Sequence, residues 1–588
     1  VAAWYEQLAS RPGLDSATRS HYQVLEANTL RHLGQSAKAA DLYQAVLTEK
    51  GSPIDTVAAV AALRSLGSTL DELQVGQALL RAGQYDQAAQ ILESYISSAS
   101  GSGDVPTARL ERGRALVFGL QYDEAIAQLQ KFQNEYPTDS RQGEAAVLIG
   151  KAKLVVAGAA DAAAFLESFA SGHPDDAASP QALANAIAYL KGSSDPTTAL
   201  PLEQELIDKF PKSPLAASAA FDRGWADYES LDFSAATDLW QAAQDRWPTS
   251  PNSPAALLWL GKIRQHAGDT AGARQAFDLA WQANPGDYYA FRARELANGT
   301  NGVSPSAVPL VNASTEQLAK ERADLDAWLA SWTQSPAGDL DKLYLGAPLA
   351  QTPILGRITA LQENGLDDQA ELEFKQATRA YVDDGRSLFA LADSAAKAHL
   401  TADSSAAADQ LLLLSPARNA YQAPRYLQRL VYPFPYENVI EAAAAKYSVD
   451  PLLLVALIRQ ESSFDPSAHS NANAIGLTQF MPTTARTIAA SVGLKDFALT
   501  DLYQPRVAIE LGAAYLAAEI RQNGGNPYLA LAAYNAGDGQ IQKWLSNNPH
   551  HDVDLLVEEI PYAETRDYVR NVYRFYQEYQ LLYRSAID

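Results

Sequence analysis

The chain of 588 residues contains no cysteine and a single methionine. Without thiols there can be no disulfide, no cysteine nucleophile and no thiolate metal site. Long apolar runs are also missing: no stretch approaches the roughly 20 uninterrupted apolar residues that cross a bilayer. Basic residues are scarce, 46 Lys and Arg against 69 Asp and Glu, for a net charge of −23. That balance argues against a nucleic-acid partner, whose footprint is a basic patch. An anionic polymer would have to be gripped by local groups and not by the overall field. Histidine is sparse too, with eight in the chain. His550-His551 is a pair, but no helix offers two histidines flanking a glutamate at zinc spacing. No metal and no cofactor is expected. The sequence starts at Val1 without an initiator methionine or a charged-then-apolar leader, as a mature, processed protein would.

What is present is mostly helical in period. Hydrophobic residues make up 47% of the chain, which excludes a largely disordered protein. The length calls for several domains or a repeat array. Over residues 1–297 alanine-rich phrases recur: Gly34-QSAKAADLY, Gly83-QYDQAAQIL, Leu120-QYDEAIAQL, Leu231-DFSAATDLW and Gly268-DTAGARQAF. Two of the intervals, Gly83 to Leu120 and Leu231 to Gly268, are 37 residues, within the range of helix-pair repeats. Breakers such as Tyr136-Pro137, Phe210-Pro211, Trp247-Pro248 and Asn284-Pro285 separate the helices. Residues 298–315, rich in Gly, Ser and Val with two prolines, read as a connector. A helical linker block follows over 316–431. The segment Val431-Tyr-Pro-Phe-Pro-Tyr436 marks entry into a last domain, 432–588.

That domain carries the chemistry. In Asp450-Pro451-LLLVALIRQ, a capping residue and a proline at the first helical position start a helix. Leu454, Leu457, Ile458 and Glu461 fall at i, i+3, i+4 and i+7, which places Glu461 on the core-facing stripe. Burial there disfavours the charged carboxylate and raises its pKa, making Glu461 a proton donor near neutrality. The alternative is a buried structural ion pair. The loop that follows ends at Met481-Pro482. Downstream, Ala532-Ala-Tyr534-Asn535-Ala-Gly537 closes a helix with a polar aromatic, an amide and a glycine stop, and Ile560-Pro-Tyr562-Ala-Glu564-Thr-Arg566 opens an amphipathic one. The aromatics of that last helix, Tyr568, Phe575, Tyr576, Tyr579 and Tyr583, read as core. Leu511-Gly512-Ala-Ala-Tyr515-Leu516 reads as close helix packing at Gly512.

Together these segments resemble the soluble lytic transglycosylases, lysozyme-like enzymes that cleave peptidoglycan. Glu461-Ser462, Phe464, Pro466, Ser470, Asn473-Ala474, Gly476-Leu477, Gln479 and Met481-Pro482 stand at the positions of that family's motif. Asn473 replaces the usual glycine; asparagine tolerates left-handed backbone angles, so the loop is expected to keep its shape. The phrases over 1–297 resemble degenerate tetratricopeptide repeats. The resemblance implies an all-α protein: a helical superhelix that curves into a ring, a linker block and a lysozyme-like catalytic domain. It makes Glu461 the acid and then the base, with Ser470, Gln479, Tyr534, Asn535 and Glu564 lining the sugar sites. Met481 is either an apolar floor beneath a sugar or a core side chain. The substrate implied is the β-1,4 bond between N-acetylmuramic acid and N-acetylglucosamine, cleaved without water to a 1,6-anhydro sugar. The implied partners are peptidoglycan glycan strands, with the superhelix positioning them or binding cell-wall synthesis or division proteins, in the cell envelope, periplasmic or exported. The rival readings are a hydrolytic muramidase with a second carboxylate, or a repeat scaffold that has lost activity. The nearest acid, Asp465, precedes a proline and reads as a turn residue.

Overall fold

The computed structural model describes residues 1–10, 14, 16–49, 51–98, 104–300, 309–333, 349, 353–417, 419–547 and 552–584, without the side chains of 367 and 368. His550-His551 and much of the 298–315 connector lie outside them. The fold is all-α, and the only β pairing among the described residues is three isolated bridges. The chain divides into two compact units, Val1–Ala256 and Leu257–Asp588.

The first unit is a stack of helix pairs, among them Glu72–Arg81, Tyr85–Ser98, Val105–Phe118, Tyr122–Glu135, Gln142–Val156 and Ala159–Gly172. Each recurring phrase begins on a left-handed residue: Gly34, Gly83, Leu120 and Leu231 all have positive φ, between 61° and 74°. The hydrogen bonds there are those of a helix stop in which two amides reach back across the last turn. In one example Gly83 N donates to Leu80 O at 3.1 Å and Gln84 N to Leu79 O at 2.8 Å. Leu120 and Leu231 adopt the same geometry against their intrinsic preference, so the stop is set by the packing of the pair and not by glycine alone.

A second period is written in the glycines. Gly76, Gly113, Gly150 and Gly224 fall on one 37-residue frame, and each sits in a helix against a large side chain 16 positions on: Leu92, Leu129, Leu166 and Trp240. A Cβ at any of these glycines would overlap that side chain. Helix glycine costs about 1 kcal/mol relative to alanine, and here it lets each pair close over a buried knob. In the repeat between Gly150 and Gly224 the pattern breaks: Ile187 holds the glycine position and the fully buried Glu203 the knob position. Lys191 Nζ meets the Glu203 carboxylate at 2.7 Å.

In the second unit the same pairing recurs at Gly261 and Phe277. The helices Tyr288–Ala297, Thr315–Trp332, Gly385–Lys397, Thr401–Leu414 and Arg425–Val431 then lead into those of the motif region. One buried cluster runs from Tyr288 to Tyr583, continuous across residue 432. Buried charges fasten it. Arg292, with no exposed surface, donates Nε to Asp554 Oδ1 at 2.6 Å and Nη2 to Oδ2 at 3.2 Å. Lys262 Nζ reaches Asp554 at 2.7 Å. Burial works to raise the Asp554 pKa, but the charges of Arg292 and Lys262 outweigh it and hold it below the ordinary value.

Candidate active site

The helix Pro451–Ser462 starts as the sequence predicts, with the Asp450 side chain accepting from Leu452 N at 2.9 Å. Its surroundings differ from the one-sided stripe. Every residue from Leu452 to Arg459 is buried, so the helix is central and apolar all round. Glu461 is set apart because the helix ends beside it, not because of the face it shares with Leu454, Leu457 and Ile458. Glu461 as a residue is half-buried. Burial pushes its pKa from 4.5 up to about 7, partly opposed by a hydrogen bond from Tyr568. That bond, Tyr568 OH to Glu461 Oε1, is 2.6 Å. Among the described residues no charged neighbour contributes to the shift.

The loop beyond the helix is wound by left-handed residues. Ser463, Phe464, Asn473 and Gln479 have φ of 49°, 69°, 68° and 45°. Asn473 thus takes the conformation expected of it. Phe464 is a costly residue for that region, and it is held there by near-complete burial. Gly476 is required twice over: its φ is 75°, and a Cβ would strike the Leu502 carbonyl oxygen. Ile475 and Phe480 exchange backbone hydrogen bonds of 3.1 Å in both directions, closing a tight hairpin. Ser462 Oγ donates to Leu477 O at 2.9 Å and Thr478 Oγ1 to Ala508 O at 3.1 Å, which seat the loop on the helices Pro451–Ser462 and Pro505–Gln522. Gly512 makes that second seat possible, since a Cβ there would meet the Thr478 side chain. The close contact at Gly512 is therefore helix to loop and not helix to helix.

The other predicted residues fall into three groups. Tyr534, near the end of the helix Pro527–Ala536, donates its hydroxyl to Thr478 O at 3.0 Å and packs on Tyr515, ring centroids 4.8 Å apart. Burial first, and then the charge of Glu461, push the Tyr534 hydroxyl far above its ordinary pKa, and the same causes act on Tyr568. Both tyrosines therefore remain protonated donors beside Glu461. Asn535 and Glu564 form the second group: Thr565 Oγ1 donates to Asn535 Oδ1 at 2.7 Å, Asn535 itself is exposed, and Glu564 is exposed one residue before Thr565. Ser470, Gln479 and Met481 belong to the loop. Ser470 Oγ accepts from Ala474 N at 2.9 Å, and Gln479 Nε2 donates to Gly476 O at 2.9 Å and Ala468 O at 3.2 Å. The Gln479 amide nitrogen is thus engaged within the loop. Met481 is 46% exposed and is not a core side chain. Among the described residues, no hydrogen bond joins Ser470 or Glu564 to Glu461.

Asp465 is a turn residue: its Oδ1 accepts from Ser467 N at 2.8 Å and from Ser467 Oγ at 2.6 Å. Tyr568 is what sequence reasoning missed, because it reads as one core aromatic among five. A signal was present in its position one turn after Glu564, on the same helix face. Removing its hydroxyl removes the bond that favours the charged carboxylate. Tyr568→Phe is expected to shift the alkaline limb of the kcat/KM–pH profile upward by about one unit, a hydrogen bond to a charged group being worth roughly 1.5 kcal/mol. An unmoved limb with unchanged folding would show that Tyr568 only packs.

Residues 438–557 match the family described as Transglycosylase SLT domain, and residues 73–140 and 221–288 match that described as Tetratricopeptide repeat. A relative from Haemophilus influenzae is 38% identical over 151 residues, 26% of either chain. The soluble lytic murein transglycosylase of Salmonella typhimurium is 35% identical over 143 residues, 24% of this chain and 22% of that one. The chain thus spans about a quarter of the length of the curated relatives it matches. Likeness of fold extends further. The structure of an inactive mutant of the lytic transglycosylase Slt from Pseudomonas aeruginosa aligns over 99% of this chain and 86% of that one, with a TM-score of 0.55 at 20% identity. The 70 kDa soluble lytic transglycosylase of Escherichia coli aligns over 98% and 91%, with a TM-score of 0.53 at 18% identity.

Proposed function

We propose that this chain, whose residues 438–557 carry a transglycosylase SLT domain, is a peptidoglycan lytic transglycosylase. It cleaves the β-1,4 bond between N-acetylmuramic acid and N-acetylglucosamine and leaves a 1,6-anhydro end. One observation carries the reading. Glu461 is a carboxyl with a pKa raised to about 7 whose hydrogen-bond partner is a neutral tyrosine, and among the described residues no second carboxylate contributes to that shift. A glycosidase that activates water ordinarily pairs two carboxylates. A single one serves if the nucleophile is supplied by the substrate.

In that reaction Glu461 begins protonated, as burial favours, and gives its proton to the glycosidic oxygen while the C1–O bond breaks. The carbonyl oxygen of the substrate's own acetamide bonds to C1. Glu461, now a carboxylate and stabilised by the Tyr568 hydroxyl, takes the proton of the C6 hydroxyl. O6 then displaces the acetamide oxygen from C1, and the 1,6-anhydro ring closes with no water consumed. In this reading Tyr534, Ser470 and the Asn535 amide present hydrogen-bonding groups to the acetamides and hydroxyls of the sugars. Gln479 contributes through its carbonyl oxygen, Glu564 lies at the rim and Met481 offers an apolar surface.

Residues 1–297 and 316–431, joined by 298–315, are assigned to positioning glycan strands or cell-wall synthesis or division proteins for the catalytic segment 432–588. The place of action is the cell envelope, in the periplasm. Among the described residues no helix is long and apolar enough to cross a membrane.

The deciding experiment is mass analysis of products from purified peptidoglycan. Disaccharide products one water lighter than the hydrolytic ones, with no free reducing end, are expected. Reducing, hydrated products alone would replace the reading with a muramidase.

A further inference from the structure

The last helix of the motif region, Ala563–Tyr583, is preceded by a residue that neither core packing nor the chemistry of Glu461 accounts for. Tyr562 is 53% exposed, the most exposed aromatic side chain among the described residues of its unit. Its backbone is held on both sides. Tyr562 O accepts from Arg566 N at 2.9 Å, the first bond of the helix, and the Arg566 guanidinium donates back to Ile560 O at 3.2 Å. Its ring is braced by Trp544, centroids 5.6 Å apart and planes inclined at 54°. Trp544 in turn packs against the buried cluster of the unit. One face of Tyr562 is therefore fixed against protein, and more than half of the side chain is left to solvent.

Its place is set by the same helix that holds Glu461. Tyr568 lies six residues on, so at 1.5 Å per residue Tyr562 is offset from it by roughly 9 Å along the axis. Between them are Glu564, exposed, and Thr565, bonded to Asn535. Glu564 and Tyr568, four residues apart, share one face of the helix, and Tyr568 is the residue that meets the carboxyl of Glu461. Two residues after Tyr562 in the chain stands the exposed Glu564, whose carboxylate can bond sugar hydroxyls. The offset is about that of two successive rings of a β-1,4-linked strand.

We propose that Tyr562, braced by Trp544, is a stacking platform for a pyranose ring of the glycan strand, beyond the sugars that flank the bond cleaved at Glu461. The inference rests on the lytic transglycosylase reading and extends it. A pyranose presents a flat face of C–H groups with hydroxyls at its edge, which fits an aromatic face with an exposed carboxylate two residues on. A platform already fixed in place loses little side-chain entropy on binding.

The test uses the full chain with peptide-free glycan strands. Tyr562→Leu keeps apolar bulk against Trp544 but removes the flat ring, and Tyr562→Phe keeps the ring. Aromatic contacts of this kind are worth about 0.5–1.5 kcal/mol, so Tyr562→Leu is expected to raise KM about three- to tenfold with kcat within twofold. Tyr562→Phe should stay within twofold of the parent in both. Equal KM values for all three proteins would overturn the platform, as would Tyr562→Phe losing as much as Tyr562→Leu. Binding of the same strands to Glu461→Gln and to Glu461→Gln/Tyr562→Leu, followed by calorimetry, separates this inference from the reading beneath it. Should the parent form no anhydro product, the reaction assignment fails. The platform then stands on a three- to tenfold weaker binding by the double variant, and falls if the two variants bind alike or if only free stem peptide distinguishes them.

Discussion

Glu461→Gln is expected to lower kcat/KM on peptidoglycan about a thousandfold, within the 10²- to 10⁴-fold range that a positioned general acid contributes. The variant retains the shape and one acceptor oxygen for Tyr568 while losing the transferable proton. The same substitution should stabilise the fold relative to the parent, by an amount that grows as pH rises from about 4.5 to 7 and is complete above 7. Glu461 has a folded-state pKa of about 7 against an ordinary value of 4.5. The folded state therefore holds the proton more tightly than the unfolded chain. The stability that this proton confers is complete below about 4.5 and is lost as pH rises through 7. At 1.36 kcal/mol per unit the difference corresponds to about 3 kcal/mol, an upper bound for a half-buried residue. Glu461→Gln should thus unfold at a higher denaturant concentration than the parent at pH 8, and at the same concentration at pH 4. Asp403 and Glu578, also raised to about 7, add their own pH dependence, which cancels in the comparison of the two proteins. A variant that is inactive but no more stable at pH 8 would mean that the carboxyl is not desolvated.

The largest effect on stability is expected at Asp554. Replacing it with alanine leaves Arg292 without its bidentate partner at a site of zero exposure, and leaves Lys262 facing the gap. Removing one member of a buried pair costs about 3–5 kcal/mol, because the remaining charge stays desolvated. Glu295, which also contacts Arg292, will retain part of that. The loss should appear in chemical denaturation as an earlier transition for the second unit. Asp554→Ala/Arg292→Met should recover much of it, since removing both partners relieves the stranded charge. If the single variant unfolds like the parent, the network does not fasten the cluster.

The two regions of the chain were legible to different degrees, for identifiable reasons. The helix Pro451–Ser462 announced its start because Asp450 and Pro451 are local signals that tertiary structure did not override. The recurring phrases announced turns correctly, and their left-handed stops follow from hydrogen bonds that any residue can be made to complete, leucine included. Harder to read was the 37-residue frame of glycines. Gly76 and Leu92 lie on different helices, and nothing local connects them. The raised pKa of Glu461 was foreseen, but through a one-sided stripe; the helix is buried on all sides and the carboxyl is distinguished by where that helix ends. Tyr568 was hidden for a related reason. Among Tyr573, Tyr576, Tyr579 and Tyr583, all buried, only three-dimensional placement shows which hydroxyl meets a carboxylate.

The match to the transglycosylase domain stops at residue 557, before the helix that carries Glu564 and Tyr568 begins. Inside the match, Arg459, two residues before Glu461 and almost wholly buried, is bonded to Asp409 at 3.2 Å and lies over the ring of Tyr432 at 4.6 Å, both of them upstream of its start at residue 438. A segment cut to the recognisable homology would thus lose the tyrosine that holds its acid and strand a guanidinium in its core. The portable piece of this protein is larger than its recognisable piece. Grafting or truncation should accordingly follow the buried charges and not the limits of sequence likeness.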